Sequence, residues 1–235
     1  MLLPIFKKEK GLIIEITIIS EGLARHLGIA KYKVLPLGAD YKEHIPNKSK
    51  QSMDLIYVGT LSNRNIVDTV KAFNKFVLDY GSKVNSTYTI IGFFSDKSED
   101  EKRLFLEEIN KKIKISYKGR KKHDELTTYF NNSNIGVSYI PITEYYNYQP
   151  PTKTFEYINH GLITIATKTY ENKKIINKNN GILCEDNETS FYNALVYLFQ
   201  NINSFHVDKI LDTSNEYSWN NIVNETLVPI LESRE

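Results

Sequence analysis

The sequence predicts an α/β protein: one parallel sheet with helices on both faces. Two observations predict it. Short apolar runs that stop at glycine or at a polar turn recur along the chain, and stretches with apolar residues at helical spacing alternate with them. Strand–helix alternation implies parallel pairing through right-handed crossovers, which places helices over both faces of the sheet. A chain of 235 residues, without internal repeats or low-complexity segments, is long enough for one large domain with appendages.

The elements follow in order. Residues 54–59 (Asp-Leu-Ile-Tyr-Val-Gly) read as a buried strand. Ile66, Val70, Phe73, Val77 and Leu78 mark one helix face over 66–80. A strand over 88–93, a helix over 99–111 and a strand over 113–117 come next, the last leading into Gly119. Residues 125–132 read as helix, 135–140 as strand, 152–160 as a helix stopped by Gly161, 162–166 and 181–184 as strands, and 190–199 as helix. Outside this rhythm, residues 1–50 read as a strand within the apolar run 12–19, a helix over 21–27, a strand over 33–35, a Pro/Gly turn over 35–40 and a polar linker over 41–52. A last amphipathic helix spans 219–231, with Trp219, Ile222, Val223, Leu227 and Ile230 on one side and Pro229 kinking or ending it.

Composition narrows the function classes. Hydrophobic residues make up 41% and charged residues 25%, as in ordinary soluble globular proteins. The net charge of +2 argues neither for nor against nucleic acid; the basic clusters (Lys7-Lys8, Lys48 to Lys50, Arg120-Lys121-Lys122, Lys173-Lys174) are short and read as solvated surface, and no nucleic-acid partner is expected. The run 12–19 contains Glu15 and is far short of the ~20 residues of a membrane span, so no transmembrane segment is expected. Cys184 is the only cysteine, which excludes a disulfide framework and points to a cytoplasmic location. The five histidines show no paired ligand spacing, so no metal site is expected. No Walker loop, dinucleotide fingerprint or Gly-x-Ser-x-Gly elbow is present.

In open α/β sheets ligands bind beyond the carboxyl ends of the strands. Three segments belong there. In Val58-Gly59-Thr60-Leu61-Ser62-Asn63-Arg64-Asn65, Gly59 permits close backbone approach, and Arg64 is either a plain surface arginine or a fork for a diphosphate. In Tyr148-Gln149-Pro150-Pro151-Thr152-Lys153-Thr154-Phe155-Glu156, the prolines halt the chain and a helix begins. Its amides at 152–154, with Lys153, form an anion site, and Glu156 offers two acceptor oxygens to vicinal hydroxyls. Helix capping is the plainer reading of Glu156, but Lys153 stands where a capping box needs Ser or Thr. Gly119-Arg120 is either a base-holding loop or a surface turn. Tyr145, Tyr146 and Tyr148 either wall the site or pack their own loop, His160 reads as a cation at a helix C-terminus, and residues 123–125 read as a helix start.

With these residues in view, the chain resembles the retaining glycosyltransferases called group 1 or family 4, over nearly its whole length and in order. Residues 34–40 (Val-Leu-Pro-Leu-Gly-Ala-Asp) are similar to that family's interdomain segment. Residues 56–73 resemble its phosphate loop and helix, 119–141 the following loop–helix–strand unit, and 152–167 its glutamate-bearing helix, the most specific piece; 181–199 and 219–231 resemble the segments that follow, the latter the helix crossing back to the other domain. The resemblance implies the Rossmann-like C-terminal half of a GT-B fold: residues 1–50 as remnant of an N-terminal domain and linker, 51–215 as the donor domain, 216–235 as the crossing helix. It implies a metal-independent, cofactor-free transferase whose substrate is a UDP- or GDP-sugar, with a glycan or lipid-linked acceptor, in polysaccharide assembly at or near the inner face of the membrane. Residue by residue, it implies that Glu156 binds the ribose, that the amides of Thr152 and Lys153 and the side chain of Arg64 hold the diphosphate, and that Gly59, Gly119 and Arg120 complete the donor site, with Arg64 and Glu156 as the catalytic pair. Two positions depart from the family: Tyr148 stands where a second glutamate is usual, with Glu144 as a substitute in the same loop, and Thr60 where an arginine is usual. The acceptor domain is expected to be missing or supplied by a partner subunit. The alternatives are a non-catalytic sugar-nucleotide-binding or scaffold subunit, and a nucleotide-sugar epimerase, whose Gly-Gly-x-x-Glu stretch this chain lacks.

Overall fold

The computed structural model describes residues 16–39, 48–111 and 114–232. The linker reading over 41–47 and the first residues of the apolar run at 12–15 lie outside them.

A two-stranded parallel pair opens the described chain: β1 (Thr17–Ile18) and β2 (Lys33–Val34), joined through helix α1 (Glu21–His26), whose N-terminus is capped by the Ser20 hydroxyl accepting from Leu23 N–H. The main sheet follows. Strand β3 (Ser52–Thr60) leads to α2 (Ile66–Tyr80), β4 (Asn85–Phe93) to α3 (Glu99–Ile109), and β5 (Ile115–Tyr117) to α4 (His123–Asn131). The second half runs β6 (Ile135–Ser138), α5 (Glu144–Asn147), α6 (Thr152–Asn159), β7 (Ile163–Thr167), α7 (Asn172–Ile175), β8 (Gly181–Cys184), α8 (Glu188–Asn201) and α9 (Val207–Asp212). Spatially the order is β5-β4-β3-β6-β7-β8, with every pair parallel. The order reverses between β3 and β6, the switch point at which open α/β sheets form their binding crevice.

Strand alternation sorts the core into two faces. Leu55, Tyr57, Tyr88, Ile90, Ile135 and Val137 share one face, where Phe73 and Phe76 of α2, Phe105 of α3 and Phe191 and Leu195 of α8 are buried against them. Ile56 and Ile91 point to the opposite face, under Leu126 and Phe130 of α4 and Tyr157 of α6. Helices therefore cover both faces, as the alternation of elements predicts.

The strands are longer or shifted by a few residues relative to their apolar runs, because ladder pairing with β4 extends β3 through Ser52 and Thr60, residues too polar to mark a strand by themselves. Helices α5, α7 and α9 are not evident from periodicity; each is too short to show a repeating face. The C-terminal segment differs more. Helix α10 (Trp219–Ile222) passes through a π-turn (Val223–Leu227) into α11 (Val228–Glu232). Pro229 neither ends nor breaks it: the wider turn, closed by Val228 N–H donating to the Val223 carbonyl, accommodates a residue that cannot donate. Of the expected apolar side, Ile222 and Ile230 are buried while Trp219 and Val223 are exposed. The segment packs back on the residues before the sheet: Ala39 N–H donates to the Tyr217 carbonyl (2.9 Å), Trp219 N–H donates to the Ala39 carbonyl (3.4 Å), and a Cβ on Gly38 would lie 2.7 Å from Ile222. Among the described residues no helix is long and apolar enough to cross a membrane.

One close approach shapes the switch point. Strand β6 carries Gly136 beneath α6, and a Cβ there would lie 2.3 Å from Cγ of the fully buried Tyr157. Gly136→Ala is expected to destabilise the protein by about 1–3 kcal/mol through overpacking, read as a lower midpoint in urea denaturation at unchanged m-value.

Candidate functional site

Strands β3 and β6 pair only at Leu55–Ile135 and Ile56–Gly136, although β3 continues to Thr60. Beyond Ile56 the two strands part, and α6 spans the gap. Tyr157 accepts a hydrogen bond on its hydroxyl from Val58 N–H (2.9 Å), so the strand's unpaired amide is satisfied by a side chain. Four residues earlier on the same helical face, Lys153 reaches the same edge. Its Nζ donates to the Tyr57 hydroxyl (3.2 Å), lies 4.4 Å from the centre of that ring, and stands where a Cβ on Gly59 would be 2.9 Å away. Gly59 adopts φ +149°, a conformation that side chains rarely tolerate, so glycine serves here both by backbone shape and by leaving room for the lysine.

Burial pushes the Lys153 pKa down to about 7; the nearby Arg64 guanidinium lowers it further and Glu156 partly offsets this. Its folded-state pKa lies below the ordinary value of 10.5, so the folded protein binds this proton less readily than the unfolded chain. The resulting penalty on stability is full below pH about 7 and is relieved as the pH rises from there toward 10.5.

Arg64 is positioned by an unusual loop. Asn63 and Asn65 both have left-handed backbone (φ 55° and 52°), which asparagine tolerates better than most residues. The loop is tied down by Leu61 N–H to the Phe93 carbonyl (2.9 Å), by Ser95 N–H to the Ser62 hydroxyl (2.6 Å), and by Asn63 N–H to the Glu101 carboxylate (3.0 Å). The Arg64 guanidinium lies 4.2 Å from the centre of the Tyr146 ring, on α5. Two loops from opposite sides of the switch point thus meet over it.

Helix α6 begins after Pro151 with no side-chain cap. The Thr154 N–H does not belong to the anion site expected at residues 152–154: it donates to the Pro151 carbonyl (3.0 Å), and the Thr154 side chain is buried against Ser138 and Asn172. The amides of Thr152 and Lys153 remain at the helix start. Glu156, with its side chain 24% exposed, lies one turn on, 3.9 Å from Nδ1 of His123. Glu156, Thr152, His123, Thr127 and Trp219 line a cleft of about 320 Å³ between α4 and α6.

The structure therefore brings Gly59, Arg64, Thr152, Lys153 and Glu156 to one place. Gly119 and Arg120 stand two strands away: Gly119 (φ 64°) accepts from Gly92 N–H (2.9 Å), and the exposed Arg120 lies over the Phe93 ring at 4.9 Å. Glu144 points outward, 83% exposed, 3.6 Å from His26. Tyr148 packs its ring on His26 and Tyr170, and its carbonyl accepts from the Ser20 hydroxyl (2.9 Å), so this tyrosine packs its loop against α1. His160 is buried against Phe130, with Nδ1 2.8 Å from the Glu156 carbonyl, and is a core residue of the α4–α6 interface. Sequence reasoning missed Tyr57, His123 and Trp219; only for His123 was there a signal, its place at a helix start shortly after Gly119. Lys48 is not plain surface either: its Nζ donates to the Phe130 carbonyl at the end of α4 (2.6 Å), and burial lowers its pKa to about 8.

A family model described as glycosyl transferases group 1 matches residues 52–201. The chain belongs to this family. The glycosyl transferases group 1 match spans β3 to the end of α8, and the sheet is of the GT-B type. No curated protein sequence matches the chain. Among solved structures it is similar to a glycosyltransferase from Rickettsia africae (17% identity, TM-score 0.72, covering 93% of this chain and 63% of that one). It is similar also to sucrose-phosphate synthase from Thermosynechococcus elongatus (15%, TM-score 0.70, 93% and 58%). A third is the C-terminal domain of a glycosyl transferase group 1 family protein from Francisella tularensis (16%, TM-score 0.60, 81% and 98%). At these identities the likeness is one of fold. The chain spans about three-fifths of the length of the first two.

Lys153→Met is expected to stabilise the protein more at pH 6 than at pH 10, because it removes a penalty that only the protonated lysine carries. Urea denaturation at the two pH values checks this.

Proposed function

We propose that the chain is the donor-binding half of a retaining, metal-independent glycosyltransferase that uses a nucleoside-diphosphate sugar. The observation that carries this reading is the convergence at the switch point of two cations and one carboxylate: Lys153 over Gly59, Arg64 on the facing loop, and Glu156 one helical turn from Lys153. Two cations held close enough that Arg64 lowers the lysine's hold on its proton suit a dianionic group. The amides of Thr152 and Lys153 add the positive end of a helix. The Glu156 carboxylate, opening into the cleft, takes the ribose hydroxyls, and Gly119–Arg120 with Phe93 takes the base.

In this reading Lys153, Arg64 and the helix terminus stabilise negative charge as the diphosphate leaves the sugar. The acceptor, a glycan or lipid-linked sugar, is held by an N-terminal domain or a partner subunit. Positioning both substrates accounts for much of the rate of such a transfer, so this half alone is expected to bind donor and to transfer poorly. The Francisella domain, of which the alignment covers 98%, supports a unit of this extent. In this reading the reaction takes place in the cytoplasm, with the acceptor at the inner face of a membrane.

Calorimetric titration with UDP, GDP and their common sugars tests the reading. One nucleotide is expected to bind, and Glu156→Ala to weaken it about tenfold or more, the loss of ~1.5–3 kcal/mol typical of hydrogen bonds to a charged group. Because Lys153 loses its proton as the pH rises through about 7, affinity is expected to fall between pH 6 and pH 9. If no nucleotide binds to the folded chain, the reading gives way to that of a scaffold subunit.

A further inference from the structure

A donor-only ammonium needs an acceptor to fix it, and in most buried sites a carboxylate fills that role. At Lys153 the acceptor is a neutral phenol. The Tyr57 side chain is fully buried, and its one proton is committed to the Thr60 carbonyl (2.7 Å). Only lone pairs remain on that oxygen, and Lys153 Nζ donates to it at 3.2 Å. The ring face of the same residue lies beneath the ammonium at 4.4 Å, which favours the charged form without neutralising it. Burial holds the phenol pKa far above its ordinary value, so it does not become a phenolate counter-ion.

We propose that Tyr57 is a positioning residue for the donor diphosphate: the hydrogen bond from Lys153 to its hydroxyl, over Gly59, fixes the ammonium and turns its other N–H bonds toward the ligand. This rests on the donor-site reading given above. The Thr60 carbonyl is the pivot. It takes the phenol proton, so the lone pairs of the oxygen are what face Lys153. The charged groups that face the pair are Arg64 from the loop after β3 and Glu156 from the lysine's own helix; Glu101 of α3 and Tyr146 of α5 act on the Tyr57 side. Arg64 repels the ammonium and Glu156 attracts it, while the hydroxyl of Tyr57 is the atom to which it donates.

A double-mutant cycle and a direct titration test this. UDP and GDP are titrated by calorimetry into the wild type, Tyr57→Phe, Lys153→Met and the double variant. In parallel, the Lys153 side chain is followed across pH 5–10 by NMR of ¹³C-labelled lysine in the ligand-free protein. Tyr57→Phe is expected to weaken diphosphate binding about fivefold to tenfold, the share of one hydrogen bond, with no further loss when added to Lys153→Met. Its Lys153 midpoint is expected to fall below that of the wild type, since an acceptor for the charged form is gone. An equal loss in both lysine backgrounds, or an unmoved midpoint, overturns the proposal. If the wild type binds neither nucleotide, the donor-site reading fails, and the titration alone then decides whether Tyr57 fixes Lys153.

Discussion

The candidate site depends on one unfinished strand pairing. Strand β3 outruns β6, and a buried strand edge beyond Ile56 would leave amide groups without partners. Tyr157 answers for Val58, and this bond, with the buried contacts of Thr154, Phe155 and Ile158, fixes how α6 lies across the switch point. Gly136 makes the approach possible by leaving the ring room. Once Tyr157 is placed, helix geometry places Lys153, one turn earlier on the same face, over Gly59. A requirement of backbone chemistry thereby becomes the placement of a charge.

The charges around that point are unequal in kind. Lys153 is desolvated and ready to lose its proton, while the Arg64 guanidinium is always charged and rests on an aromatic face. A guanidinium offers a fixed fork; an ammonium offers a point charge that a ligand can rescue from its own desolvation. Glu156 lies on the side of the helix that opens to the cleft, where its neighbours are His123 and Thr152. Cations on one flank of α6 and a carboxylate on the other give the helix terminus a direction along which a molecule with an anionic end and a hydroxylated end can lie.

Much of this was legible in the sequence. The alternation of apolar runs and helical faces marks the sheet, and the stretch from Thr152 to Glu156 marks the helix terminus, because local chemistry decides both. Gly59 and Arg64 follow from being in the first strand-to-helix loop. What the sequence hides is long-range. Nothing near Tyr57 shows that its hydroxyl meets a lysine 96 residues away. Nothing near Trp219 shows that it walls a cleft, because the residues that share the cleft with it, on α4 and α6, are far away in the sequence. Tyr148 stands where the family pattern usually has a glutamate, and its contacts with His26, Tyr170 and Ser20 give it a packing role that spacing alone does not reveal. Thr154 shows the same limit at short range: its amide is spent on the turn that starts the helix.

The bridge between Ala39 and Ser218 has a mechanical meaning. The chain approaches the large sheet and returns from it at the same spot, and the two passing segments hold each other by a pair of backbone hydrogen bonds with Gly38 wedged under Ile222. Tension applied across this bridge is shared between those two bonds and the contacts of α1 with Tyr148 and Tyr170 before it reaches the strands beneath.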